Sequence, residues 1–107
     1  MSDILIKNGR IVDGTGSPWY KGDLAIESGR ISRIGRSLDI KTDKTIDAKN
    51  LCVSPGFIDV HSHSDFTLLA NPKAESKVRQ GVTTEVNGQC GFSSAPLKGN
   101  VWLRLYP

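Results

Sequence analysis

Through most of the first half of the chain, apolar and polar positions alternate with the period of a β-strand. Ile4, Leu5 and Ile6 lie on one side of Asn8-Gly9, and Ile11 and Val12 on the other; that dipeptide suits a tight hairpin turn. Asp13-Gly14-Thr15-Gly16-Ser17-Pro18 is a loop by composition. Residues 22–27 predict the next strand, with Leu24 and Ile26 on one face. Ser28-Gly29 turns that strand into an alternating partner over 30–35. Lys44-Thr45-Ile46-Asp47 and Leu51-Cys52-Val53 supply a further strand pair or one interrupted strand. The Gly-Arg-Ile triplets at 9–11 and 29–31 are explained by shared turn chemistry rather than by a repeat. Residues 1–54 therefore predict a small, mostly antiparallel β unit.

The pattern changes at Ser54-Pro55-Gly56, where the Pro-Gly pair punctuates the chain. A short apolar run over 57–62 reads as a strand. Its alternation places Asp59, His61 and His63 on one side, and Ile58 and Val60 on a face that can be buried. At strand rise, the two histidine Cα atoms lie about 6.6 Å apart, close enough for both imidazoles to tilt toward one cation. A bare His-X-His is more often an ordinary surface pair. Here both histidines of the chain fall together at a strand end, flanked by Ser62, Ser64 and Asp65, which can hydrogen-bond a ligand imidazole. Further on, Asn71 suits an N-cap, Pro72 a first helical position and Glu75 a first turn, so 74–79 predicts a helix ended by Gly81. The β-branched run over 82–87 predicts a strand with Val82, Thr84 and Val86 on one face, and Gly88-Gln89-Cys90-Gly91 turns the chain. Strand, helix and strand in this spacing make a parallel βαβ unit with a right-handed crossover. Its two strand ends share one edge, so His61, His63 and Cys90 converge there. Thiolate with imidazole is a zinc-like donor set.

Composition narrows the alternatives. The 107 residues are enough for one modest domain, and 14 Lys and Arg against 11 Asp and Glu give a net charge of +3. The basic residues are scattered rather than clustered, which argues against nucleic acid as a partner. No apolar stretch approaches a membrane span of about 20 residues. The opening residues run straight into a strand pattern rather than a secretory leader. Two cysteines are too few for a disulfide scaffold, so a cytoplasmic setting is the expectation. Cys52, between Leu51 and Val53, reads as a small buried hydrophobe.

The run from Ser54 to Asp65 resembles the first barrel strand of the amidohydrolase superfamily. Gln80-Gly81-Val82-Thr83-Thr84-Glu85-Val86-Asn87-Gly88-Gln89-Cys90-Gly91-Phe92-Ser93, followed by Ala95-Pro96-Leu97, is similar to the N-acyl-D-amino-acid deacylase (D-aminoacylase) branch. The segment from Ile4 to Gly14 looks like the start of the small β-sandwich those enzymes carry beside their barrel. The resemblance implies a mixed β and α/β chain: an antiparallel sandwich-like segment at 1–54, then at 55–107 the first βαβ unit of a TIM-like barrel. It further implies zinc as the cofactor, with Cys90 on a tightly held ion and His61 and His63 at a second, weaker position. The substrate would be a small N-acylated D-amino acid, hydrolysed at its amide bond. The family's general base, an aspartate of the last barrel strand, has no counterpart in Asp59 or Asp65.

A closed barrel takes about 250 residues and eight strands. The expectation is thus the N-terminal portion of a deacylase, inactive alone. Two other readings stand beside it. One is a non-catalytic β-rich domain that self-associates through exposed strand edges. The other is a piece of a hydantoinase- or dihydroorotase-type enzyme, in which a carboxylated lysine would bridge two metals and Cys90 would have no role. The closing segment, 99–107, does not match the family; its Trp102, Leu103, Leu105 and Tyr106 are candidates to cover an edge or form a dimer contact.

Overall fold

The computed structural model describes residues 2–91 and Ser93; the expectations for Trp102, Leu103, Leu105 and Tyr106 lie outside the described residues. The chain divides into two compact units, Met1–Pro55 and Gly56–Pro107.

The first unit is one five-stranded sheet. It contains β1 (Ser2–Ile11), β2 (Tyr20–Glu27), β3 (Arg30–Gly35), β4 (Thr42–Asp47) and β5 (Cys52–Val53). The order is β3-β2-β1-β4, with β5 also pairing β1. Pairings β1–β2 and β2–β3 are antiparallel, whereas β4 and β5 run parallel to β1. The sheet is therefore mixed, where the sequence led us to expect a mostly antiparallel unit. The chain between β3 and β4 brings β4 alongside β1 in the same direction.

Asn8-Gly9 is not a hairpin turn. It lies inside the continuous strand β1 as a bulge: Ile6 pairs with Leu24 and Gly9 with Gly22, so Lys7 and Asn8 together oppose Asp23. Asn8 takes a left-handed φ of 64°, which asparagine tolerates better than most residues. Its N–H donates to Asp23 Oδ1 (2.9 Å), and its Nδ2 donates to Asp47 Oδ1 (2.8 Å). Asp23 is buried, and its second oxygen accepts the Leu38 N–H at 2.9 Å. The bulge has a packing consequence. It shifts the alternation by one residue, so that Gly9 and Ile11 join Ile4 and Ile6 on one face, level with Gly22, Leu24 and Ile26. Gly9 must stay small, because a Cβ there would lie 2.6 Å from Val53 Cγ2.

Ser28-Gly29 forms the expected two-residue turn, both residues left-handed (φ 51° and 73°), as a twisted hairpin requires. The buried apolar side chains of the described residues are Leu5, Ile11, Leu24, Ala25 and Ala48, all in this unit. Cys52 is exposed rather than buried. Alternation in β5 turns Val53 toward Gly9 and so turns Cys52 outward.

The second unit holds β6 (Phe57–Asp59), a 3-10 turn (Ser64–Phe66), α1 (Glu75–Val78) and β7 (Val82–Glu85). The expected parallel pairing of the two strands is present. Three elements differ from expectation. The first strand stops at Asp59, so His61 and His63 sit on the bend beyond it. The helix is shorter than 74–79: Asn71 and Pro72 lie in a turn closed by Ala74 N–H to Asn71 O, and the helix begins only after Ala74, which is left-handed at φ 44°. Finally, β7 carries a bulge: Phe57 pairs with Val82 but Ile58 with Thr84, leaving Thr83 as an extra residue. Ile58 and Val60 are 62% and 69% exposed, so the face expected to be buried is bare among the described residues. No helix among the described residues is long and apolar enough to cross a membrane.

Candidate metal centre

The ends of β6 and β7 are linked beyond their ladder. Val86 N–H donates to Asp59 O (2.8 Å) and Ser62 N–H to Val86 O (3.1 Å), so the bend after β6 is tied to the end of β7. Gly88, Cys90 and Gly91 all have positive φ (82°, 56° and 69°), and this run of left-handed residues folds the chain back sharply after β7. Gln89 Nε2 reaches back to Val60 O at 3.4 Å.

These two bends bring His61, His63 and Cys90 together. One ligand atom from each lies within 4.8 Å of the others, and all three side chains are exposed. His61 Nε2 is 3.1 Å from Cys90 Sγ. The two imidazoles meet edge to face with centroids 5.5 Å apart. In a tetrahedral zinc shell, with bonds of about 2.0 Å to nitrogen and 2.3 Å to sulfur, neighbouring donors are about 3.5 Å apart. The His61–Cys90 pair is already near that spacing, and no pair of the trio's ligand atoms is more than 4.8 Å apart. Two imidazoles and a thiol also match the ion chemically, so the residues present fit zinc.

Beneath the trio lies a charged network that the sequence reading missed. Lys77 Nζ, on α1, contacts Asp59 Oδ2 at 2.5 Å and Glu85 Oε1 at 3.0 Å. Asp59 Oδ1 accepts the His61 backbone N–H (3.2 Å). Glu85 accepts from Ser62 Oγ at 2.9 Å and from Ser64 Oγ, and Ser64 Oγ also bonds the Asn87 side chain. Ser62 and Ser64, expected to serve the imidazoles, are thus engaged with Glu85. The contact with Lys77 and the His61 N–H hold the Asp59 carboxyl below its usual range. Hydrogen bonds from Ser64, Lys77 and Ser62 do the same for Glu85, while Asp59 and Glu85 push Lys77 upward. One signal was available: Asp59 and Glu85 are the only charged residues of β6 and β7, each at its strand's C-terminal end. A hollow of about 280 Å³ opens beside His63, lined in part by Thr67, Leu68, Asn71 and Lys77.

Residues 44–105 match the amidohydrolase family, so the match takes in most of the closing segment, 99–107, expected to fall outside it. This chain belongs to the amidohydrolase family. Within it, the deacylases of N-acyl-D-amino acids are close relatives. The N-acyl-D-aspartate deacylase of Alcaligenes xylosoxydans xylosoxydans is 46% identical over 96 residues, spanning 90% of this chain and 19% of that protein. The crystal structure of N-acyl-D-glutamate deacylase from Bordetella bronchiseptica, complexed with zinc and a phosphonate inhibitor, superposes with a TM-score of 0.87 at 41% identity. That match covers 92% of this chain and 21% of that one. The L-hydantoinase of Arthrobacter aurescens gives a TM-score of 0.69 at 30% identity, over 81% of this chain and 20% of its own. The chain thus spans about a fifth of the length of the curated relatives it matches.

Proposed function

We propose that this chain carries the first two barrel-strand ends of a zinc-dependent N-acyl-D-amino-acid deacylase, with His61, His63 and Cys90 as metal ligands. The observation that supports this most is the meeting of the three donors within 4.8 Å. Cys90 favours a deacylase over a hydantoinase-type enzyme, since a site bridged by carboxylated lysine leaves the thiol without a role. When bound, zinc would polarise the scissile carbonyl and lower the pKa of a bound water. The chain's own residues do something narrower. The two imidazoles and the thiol hold the ion, while Asp59 and the Ser62–Glu85 contact fix the bend that presents them. Neither Asp59 nor Glu85 serves as general base on this reading, because both are held by Lys77. Residues 1–54 correspond to the sandwich segment and 55–107 to the opening of the barrel. Both cysteines are free thiols, which suits a reducing, cytoplasmic setting.

The test is zinc content and affinity of the purified chain. Stoichiometric zinc, with a sulfur signature in the cobalt-substituted spectrum that disappears in Cys90→Ala, is the expected result. Unchanged affinity in that variant overturns the ligand assignment. No release of free D-amino acid from N-acetyl-D-methionine is expected from this chain alone, and clear turnover over a metal-only control overturns its inactivity.

One observation favours self-association as an accompanying property. Ile58 and Val60 are 62% and 69% exposed, a bare apolar face at the end of a two-stranded sheet. Sedimentation should show a concentration-dependent mass above 11.6 kDa that Ile58→Lys returns to the monomer. A wild-type chain monomeric at all concentrations sinks this reading.

A further inference from the structure

We propose that Glu85 and Lys77 are positioning residues whose ion pair fixes the bend at 61–64, so that His61 and His63 face Cys90 before any ion arrives. The inference rests on the metal-site reading above. Backbone pairing alone does not account for the bend. The β6–β7 ladder ends at Asp59, and beyond it the backbone supplies Val86 N–H to Asp59 O and Ser62 N–H to Val86 O. Most of the side-chain anchors run through the ion pair; the exceptions are Gln89 Nε2 to Val60 O and the Asn87 side chain to Ser64 Oγ. Lys77 holds Asp59 Oδ2, and Asp59 Oδ1 in turn receives the His61 N–H. Lys77 Nζ also lies 3.2 Å from Ser62 Oγ. Glu85 takes the hydroxyls of Ser62 and Ser64, the two residues that bracket His63.

Glu85 is the hub of this arrangement. Its side chain is only 13% exposed, and both of its oxygens are occupied. Charge-assisted bonds of this kind are about twice as strong as neutral ones. A carboxylate so enclosed keeps its partners or is left desolvated, and that cost resists motion of the serines attached to it. The histidines themselves are exposed and have little packing to hold them. Their orientation is therefore set from beneath, by a network that touches neither ring. A mere staple between α1 and the sheet would stabilise the unit without ordering the bend, and this difference can be measured.

The experiment uses the 107-residue chain and its variants Glu85→Gln, Lys77→Met, Lys77→Arg and Ser64→Ala. Two readouts are taken: cobalt(II) affinity from the sulfur-to-cobalt charge-transfer band, and backbone amide order parameters of 60–64 in the metal-free chain. Glu85→Gln and Lys77→Met should weaken cobalt binding about ten- to hundredfold, as loss of groups behind ligands commonly does, with the band intact at saturation. Order parameters at 61–64 should fall from about 0.85 toward 0.6. Lys77→Arg, which keeps the charge, should restore most of the affinity. A folded Glu85→Gln chain with unchanged affinity and unchanged order overturns the proposal. Should Glu85→Gln fail to fold, Ser64→Ala removes one hydroxyl anchor only. A smaller loss in the same direction then supports the proposal, and no change overturns it. A wild-type chain lacking the band overturns the metal reading instead, and the order parameters still decide the positioning role by the same criterion.

Discussion

Lys77 stands between two carboxylates that are themselves occupied, and this sets how the second unit responds to pH. Asp59 and Glu85 have folded pKa values below their ordinary 3.8 and 4.5, and Lys77 has one above 10.5. The carboxylates' contribution is fully present above those unfolded values and is lost as pH falls through the depressed folded ones. The Lys77 contribution is fully present below 10.5 and is lost as pH rises through its elevated folded value. In the metal-free chain, the stability gap between wild type and Glu85→Gln should stay flat from pH 5 to pH 9 and narrow below pH 4. A gap that widens in acid would contradict the ion-pair assignment; denaturant melts across pH check it. His61, His63 and Cys90 were legible in the sequence because their chemistry is distinctive and their spacing short. Lys77 and Glu85 were not: lysine on a helix and glutamate in a strand are ordinary surface residues until the βαβ crossover brings them together.

The same division holds among the elements. The strand at 30–35, its Ser28-Gly29 turn and the parallel β6–β7 pair could be read from alternation and turn chemistry. Asn8-Gly9 was misread, since a left-handed asparagine followed by glycine serves a hairpin and a bulge equally well. What decides between them is the distant pair Asp23 and Asp47, which engage Asn8 from neighbouring strands. Asn8→Ala should therefore destabilise the chain by about 1 kcal/mol more than Asn8→Gly, because alanine meets the left-handed steric cost that glycine escapes. Equal denaturation midpoints for the two variants, at equal m-values, would remove the bulge as the explanation. The helix was overestimated for a similar reason. Asn71-Pro72 carries a start signal, yet turns starting at Ser64 and Thr67 already engage the backbone there, and α1 starts later.

Across the whole molecule, the two units differ in what holds them. Every buried apolar side chain among the described residues belongs to the first unit, while the second is held by strand pairing and the Lys77 network. Amide exchange should thus be slow in β1, β2 and β4 and much faster in β6 and β7, opening at a free energy below that of global unfolding. Uniform protection across both units would contradict this. Added zinc should slow exchange selectively in 57–64 and 82–90, since an ion that binds only the folded arrangement stabilises it by mass action. The sequence carried the family and the strand ends but not this imbalance. Periodicity shows which face is apolar; it does not show what covers that face.

The extra residue in β7 has a consequence for how such a site is inherited. The bulge takes Thr83 out of the ladder, and with that residue out Glu85 stands opposite Asp59 and within reach of Lys77. Side-chain parity here behaves like a reading frame. Were Thr83 drawn into a regular ladder, Asp59 would face Thr84 and Glu85 would pass to the opposite face, although every charged residue of the chain would still be present. A single-residue insertion between the bulge and Glu85 is therefore expected to be more damaging than most point substitutions, whereas loss of Thr83 itself would leave Glu85 paired with Asp59 in a regular ladder.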